Sequence, residues 1–172
     1  VWTGSRLLIE ALTWPQDTDC ARLKEIQECI KNDGGTRIIE LGAGVGVVGT
    51  YLSAVGSHVL ITDLNTLVEN AIHSNLERNE RKLSNLPIDD VKCTACPSWL
   101  ANGRRIGKGW ADATPLDWTK PLNEQLTYEQ ASSIDMILAS DVVFLASMMK
   151  SLFDTVEALF QTSKGNKPTF IL

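Results

Sequence analysis

The apolar and polar positions of the chain switch repeatedly between a strand period and a helix period. Arg37–Leu41 and Val59–Asp63 are short β-branched runs with the continuous apolar character of strands buried on both faces. Between them, Gly46 to about Ala54 reads as a helix that Gly56 closes as a C′ glycine. Upstream, residues 5 to 12 and 18 to 31 read as helices. The second sets Leu23, Ile26 and Ile30 on one face and offers Asp17 or Thr18 as its cap. Downstream, Asn65 is the expected cap of a helix carrying Leu67, Val68, Ala71, Ile72, Asn75 and Leu76, whose apolar side would lie on the sheet. Further strands are expected over about Gly109 to Thr114, Asp135 to Ser140 and Thr169 to Leu172. A helix with Met148, Leu152, Val156 and Leu159 at helical spacing precedes the last of these, and the Met148-Met149 pair is read as core packing. Residues 81 to 108, with Pro, Asn and Gly, break the alternation and are expected to be one long irregular inserted loop, either a substrate-facing lid or an excursion. With no internal repeat, one doubly wound, Rossmann-like α/β unit accounts for the pattern, preceded by a helical segment over 1 to 34.

Composition narrows the class. A chain of 172 residues, 44% hydrophobic and 22% charged, can bury a single core. A net charge of −5 argues against nucleic acid as a generic electrostatic partner, and Arg104, Arg105 and Lys108, set among glycines, read as a solvated loop. No run approaches the ~18 apolar residues of a membrane span, and no secretory pattern opens the sequence, so an intracellular, cytoplasmic protein is the expectation, with the nucleus as a second compartment. Cys20, Cys29, Cys93 and Cys96 are too few for a disulfide scaffold; reduced thiols are expected, with a zinc or redox pair as the alternative.

The chemistry concentrates where the first strand ends. Gly42, Gly44 and Gly46 follow it and allow the backbone to turn sharply and approach a ligand closely, and the next helix presents its unpaired N–H groups and positive end to that loop. Asp63 falls 17 residues after Gly46 (63 minus 46), close to the ~20-residue spacing at which an acid meets a ribose hydroxyl. An adenosine-containing cofactor fits this arrangement. Gly44, Gly46 and Gly49 also form a G-x-G-x-x-G match, so NAD is a competitor. Glu40 argues against NAD: a carboxylate beside the glycines would repel a pyrophosphate, whereas it suits the ammonium of the methionine part of S-adenosylmethionine. The alternative for Glu40 is a strand-end charge in solvent.

Five motifs in order, Val1-Trp2-Thr-Gly-Ser5, Ile39-Glu-Leu-Gly-Ala-Gly-Val-Gly46, Thr62-Asp-Leu-Asn65, Leu116-Asp-Trp118 and Ala139-Ser-Asp-Val-Val-Phe144, resemble the seven-strand protein lysine methyltransferases of methyltransferase family 16. The resemblance implies a class I methyltransferase fold, here ending after the fifth strand, and the expectation is a fragment whose parent covers the last strand with a further hairpin. It also implies site roles. Trp2 belongs to a segment that closes over the cofactor; Glu40 takes the methionine end; Gly42, Gly44 and Gly46 allow close backbone approach; Asp63 takes the ribose hydroxyls; Leu64, Asp117 and Trp118 flank the adenine; Ser140 completes the cofactor set. Trp118 has core packing as its alternative role. Asp141 and Phe144 are the catalytic candidates, Asp141 to orient the substrate amine and help remove its proton, Phe144 as an aromatic wall where the family usually has tyrosine. Asp141 could instead be the N-cap of the following helix. The resulting expectation is an S-adenosylmethionine-dependent methyltransferase, yielding S-adenosylhomocysteine and acting as a monomer on a lysine of a protein substrate, with no membrane or nucleic-acid partner. The alternatives are a methyltransferase of a small molecule or RNA, a non-catalytic module of the same fold, and an NAD oxidoreductase.

Overall fold

A computed structural model describes residues 3–31, 35–83, 95–143, 146–164 and 168–172. Two helices, α1 (Thr3–Thr13) and α2 (Ala21–Lys31), precede β1 (Arg37–Leu41), α3 (Val47–Val55) and β2 (His58–Asp63). A short α4 (Asn65–Leu67), a π-helical turn (Val68–Ile72) and α5 (His73–Leu83) then run on directly from one another. After these come β3 (Arg104–Ile106), β4 (Gly109–Pro115), a 3₁₀ turn (Leu122–Glu124), α6 (Tyr128–Ser132), β5 (Met136–Ala139), α7 (Ala146–Thr162) and β6 (Thr169–Ile171).

Among the described residues the strands form one six-stranded sheet in the order β3-β4-β2-β1-β5-β6. All neighbours are parallel except β3 and β4, which form an antiparallel hairpin. The strand order reverses beside β1, which lies between β2 and β5; in open α/β sheets ligands bind at such a switch, off the carboxyl ends of the strands. Alternation along β1 divides the core. Ile38 packs into a cluster with Leu12, Val48, Leu52 and Ile72, whereas Ile39 and Leu41 pack on the other face with Leu152, Val156 and Leu159 of α7. The sheet therefore has helices on both faces, as the apolar runs predict.

Five expectations change. Residues 81–108 are not one irregular loop: α5 runs on to Leu83, and Arg104–Ile106 form β3. Strand pairing, rather than propensity, makes β3 a strand, since Arg104, Arg105 and Ile106 find Ala111, Trp110 and Gly109 opposite them. The basic cluster is consequently engaged: Arg104 Nη1 lies 2.7 Å from Glu80 Oε2, and Arg105 sits over the Trp110 ring at 6.0 Å. Neither Asp17 nor Thr18 caps α2, which begins at Ala21; Asp19 instead accepts from the Gln16 backbone N–H and from Gln27 Nε2. Asn65 is the first residue of its helix rather than the cap, a position held by Leu64 without a side-chain bond. Finally, α7 begins at Ala146, five residues beyond Asp141, so Asp141 is not its N-cap.

Candidate functional site

Period-2 alternation sets Glu40 on the same side of β1 as Ile38, facing α3. Glu40 is 3% exposed and its Oε2 accepts the Gly49 N–H at 2.9 Å, within the first turn of α3. Glu40 is thus no solvent-facing strand end. Burial pushes its pKa up to about 8, the Gly49 N–H pulls it down, and the Asp63 carboxylate adds a further upward push. Among the described residues the Glu40 carboxyl has one donor and no cation beside it, so it would gain from a neighbouring positive charge. The strand is also tied here, since Thr62 Oγ1 donates to the Glu40 carbonyl at 2.7 Å.

The glycine loop lies directly above. Gly44 and Gly46 have φ of 61° and 77°, in the left-handed region that a Cβ disfavours, and Gly46 is the N-cap of α3 with no side-chain cap bond. The Gly44 N–H donates to Asp63 Oδ2 at 2.7 Å, and the Leu64 N–H donates to Asp63 Oδ1 at 2.7 Å. One carboxylate therefore joins the loop after β1 to the loop after β2, and its remaining lone pairs can accept hydroxyl donors. Among the described residues a Cβ at Gly44 would meet nothing within 4 Å, so the backbone there borders open space. Leu64 is 52% exposed at the same mouth.

At Gly42 two other loops arrive. A Cβ there would strike Val142 Cγ1 at 2.7 Å and Trp118 Cζ2 at 3.0 Å, which brings the loops after β1, β4 and β5 into contact. Trp118 belongs in part to the core, yet its buried Nε1 has no partner among the described residues. Both readings of this indole, packing and ligand contact, are compatible with that position. Asp117 Oδ1 accepts from the Thr119 hydroxyl at 2.6 Å and from its backbone N–H at 3.0 Å, which with Lys120 holds its pKa low. It closes a local turn beside the site.

Asp141 is exposed and follows β5 with φ of 57°, the positive-φ residue other than glycine among those described. Aspartate tolerates this region, but such a backbone persists where its surroundings hold it. The start of α1 does so. A Cβ on Gly4 would overlap the Asp141 carboxylate, and Ser5 Oγ lies 3.4 Å from Ser140 Oγ. Trp2 and Phe144 lie outside the described residues. Gly4, Ser5 and Val142 meet the site without a role assigned from sequence; the signal for the first two was their place in the opening motif, and for Val142 its place beside Asp141.

Those contacts join residues of all five motifs on one rim, and comparison with known proteins agrees. The lysine methyltransferase family model matches residues 1–94 and 101–170. The chain belongs to the lysine methyltransferase family. Its similar proteins include a calmodulin-lysine N-methyltransferase of Arabidopsis thaliana, 28% identical over 138 residues, covering 79% of this chain and 36% of that protein. A mouse protein-lysine methyltransferase, METTL21E, is 26% identical over 149 residues, covering 87% of this chain and 51% of its own length. A protein N-lysine methyltransferase, METTL21A, of Xenopus tropicalis is 30% identical over 118 residues, covering 69% of this chain and 41% of its own length. The chain thus spans between about a third and a half of the length of these relatives.

A cleft of about 680 Å³ opens at the opposite end of the sheet, lined by Gly35, His58, Trp99 and Asp135 among others. It lies off the amino ends of the strands and contains no residue of the glycine-loop site.

Proposed function

We propose that the protein is an S-adenosylmethionine-dependent methyltransferase that modifies a lysine side chain of a protein substrate. Contact between the glycine loop and the Asp141 loop, through Gly42 and Val142, is the observation that carries the reading. It sets a cofactor cradle and an exposed carboxylate on one rim.

The residues present suit that cofactor. Glu40 offers a buried acid that gains from a neighbouring cation, Gly44 offers backbone bordering open space, and Asp63 offers free lone pairs to ribose hydroxyls. Leu64 and Trp118 flank the base, and Ser140 completes the set. S-adenosylmethionine supplies an electrophilic methyl group on a sulfonium. A lysine ammonium must lose a proton before its nitrogen can act as nucleophile. Asp141 accepts an N–H of the amine, orients its lone pair and takes the proton, or passes it to solvent. The family resemblance gives Phe144 the role of a wall to the amine channel and Trp2 that of a cover over the cofactor; both lie outside the described residues.

Three further points belong to the proposal. The enzyme acts as a monomer, its partner is a protein rather than nucleic acid, in keeping with the net charge of −5, and it works in the cytoplasm with access to the nucleus. Free thiols at Cys20 and Cys29 suit a reducing compartment.

The test is transfer of labelled methyl from S-adenosylmethionine into lysate protein, with the modified residue located by mass spectrometry. Methyl-lysine formed by the wild type and lost in Asp141→Ala, which keeps cofactor binding, supports the proposal. Label on RNA or small molecules alone, or none with a folded protein, contradicts it.

A further inference from the structure

The helix that leaves β2 is irregular where it passes the glycine loop. Val68–Ile72 form a π turn, in which the His73 N–H donates to the Val68 carbonyl five residues back. Such turns are rare, usually single, and recur beside functional sites. A π turn accommodates one residue more than an α turn, so every later position is re-phased by about 100° around the helix axis.

Two side chains beyond or at the end of that turn meet the loop at successive residues. Ile72 Cγ2 lies where a Cβ of Gly46 would touch it at 3.2 Å. Asn75 Nδ2 donates to the Val45 carbonyl at 3.0 Å. The other end of the same peptide is also held, since the Gly46 N–H donates to the Ala43 carbonyl at 2.9 Å. This peptide is the one that most needs holding. Glycines flank Val45 on both sides, so its carbonyl could rotate without Cβ clashes, and rotation would redirect the N–H of Gly46 at the cap of α3.

We propose that Asn75 is a positioning residue of the cofactor site, whose amide, delivered by the π turn, fixes the Val45–Gly46 peptide and keeps the glycine loop in its ligand-ready shape. The proposal rests on the reading of that loop as the methyl-donor site. Ordering a loop beforehand removes a cost that binding would otherwise meet. Asn75 itself touches no cofactor in this scheme.

The intact protein, Asn75→Ala and Asn75→Asp are titrated calorimetrically with S-adenosylhomocysteine, and amide hydrogen exchange at Gly44 and Gly46 is followed without ligand. Loss of one such bond is expected to weaken binding about 5- to 10-fold in Asn75→Ala. Asn75→Asp, which has no donor and sets a carboxylate against the carbonyl, is expected to weaken it at least as much. Exchange at Gly46 quickens in both, while the unliganded melting temperature moves by no more than about 2 °C. Wild-type affinity in Asn75→Ala overturns the proposal, whether or not exchange quickens. A wild type that binds no S-adenosylhomocysteine brings down the methyl-donor reading and this proposal with it, whereas unchanged exchange beside normal wild-type binding brings down the clamp alone.

Discussion

The Glu40 carboxyl sits beneath the glycine loop, accepting among the described residues one hydrogen bond, from the Gly49 N–H, with a pKa that burial pushes to about 8 from an ordinary 4.5. The folded state therefore holds a proton that the unfolded chain releases. Its contribution to stability is full below pH 4.5 and is lost as pH rises toward 8. His58, buried and held neutral, works in the other direction, with stability lost as pH falls below 6.5. Between pH 6.5 and 8 only Glu40 of this pair acts. Glu40→Gln keeps an acceptor for the Gly49 N–H and removes the titration, so it should stabilise the unliganded protein at pH 8 by roughly 1–3 kcal/mol and flatten the loss from pH 6.5 to 8. The same change should weaken S-adenosylhomocysteine binding; urea unfolding at several pH values and calorimetry read both effects. A second prediction concerns Gly4. Because a Cβ there overlaps the movable end of the Asp141 side chain, Gly4→Ala should displace the carboxylate at little cost to the fold. Methyl transfer should fall by roughly 10-fold while S-adenosylhomocysteine affinity stays within about twofold. Unchanged transfer would remove the carboxylate's position from the account.

The elements that form the cradle were the most legible in the sequence. β1 and β2 are β-branched runs, β1 between Gly35 and Gly42 and β2 after Gly56, and α3 lies between Gly46 and Gly56, so periodicity and punctuation agree. What escaped reading has physical causes. β3 is three residues long, two of them arginine, and exists through its register with β4. The π turn leaves no composition signal, since Val68 and Ile72 are both buried at a spacing that also fits an α helix. At this scale α3 is locked to the sheet at Gly49, where a Cβ would meet Glu40 Oε2 at 2.5 Å and Ile61 Cγ1 at 2.6 Å. Gly49→Ala should therefore destabilise by about 1–3 kcal/mol through overpacking, lowering the melting temperature by several degrees in a thermal scan. A shift below one degree would mean that α3 can move off the sheet freely.

Across the whole molecule, the strand order β4-β2-β1-β5-β6 brings Gly42, Trp118, Val142, Asp141 and Gly4 to one rim from distant parts of the chain. Residue types and motif order pointed to Glu40, Asp63 and Asp141, but no spacing rule pairs residue 4 with 141 or 42 with 118. Those pairings follow from topology, and only the folded chain displays them. The same topology leaves the large cleft beside His58 at the other end of the sheet, away from the glycines. The account accordingly rests on the loop above Glu40 and its tie to Asp63. The most direct measurement is calorimetric titration of the intact protein with S-adenosylhomocysteine and, separately, with NAD, beside an Asp63→Ala variant. The account predicts binding in the micromolar range for S-adenosylhomocysteine alone, weakened at least about 10-fold in the variant. Binding of NAD, or no binding of S-adenosylhomocysteine by a folded wild type, would contradict it.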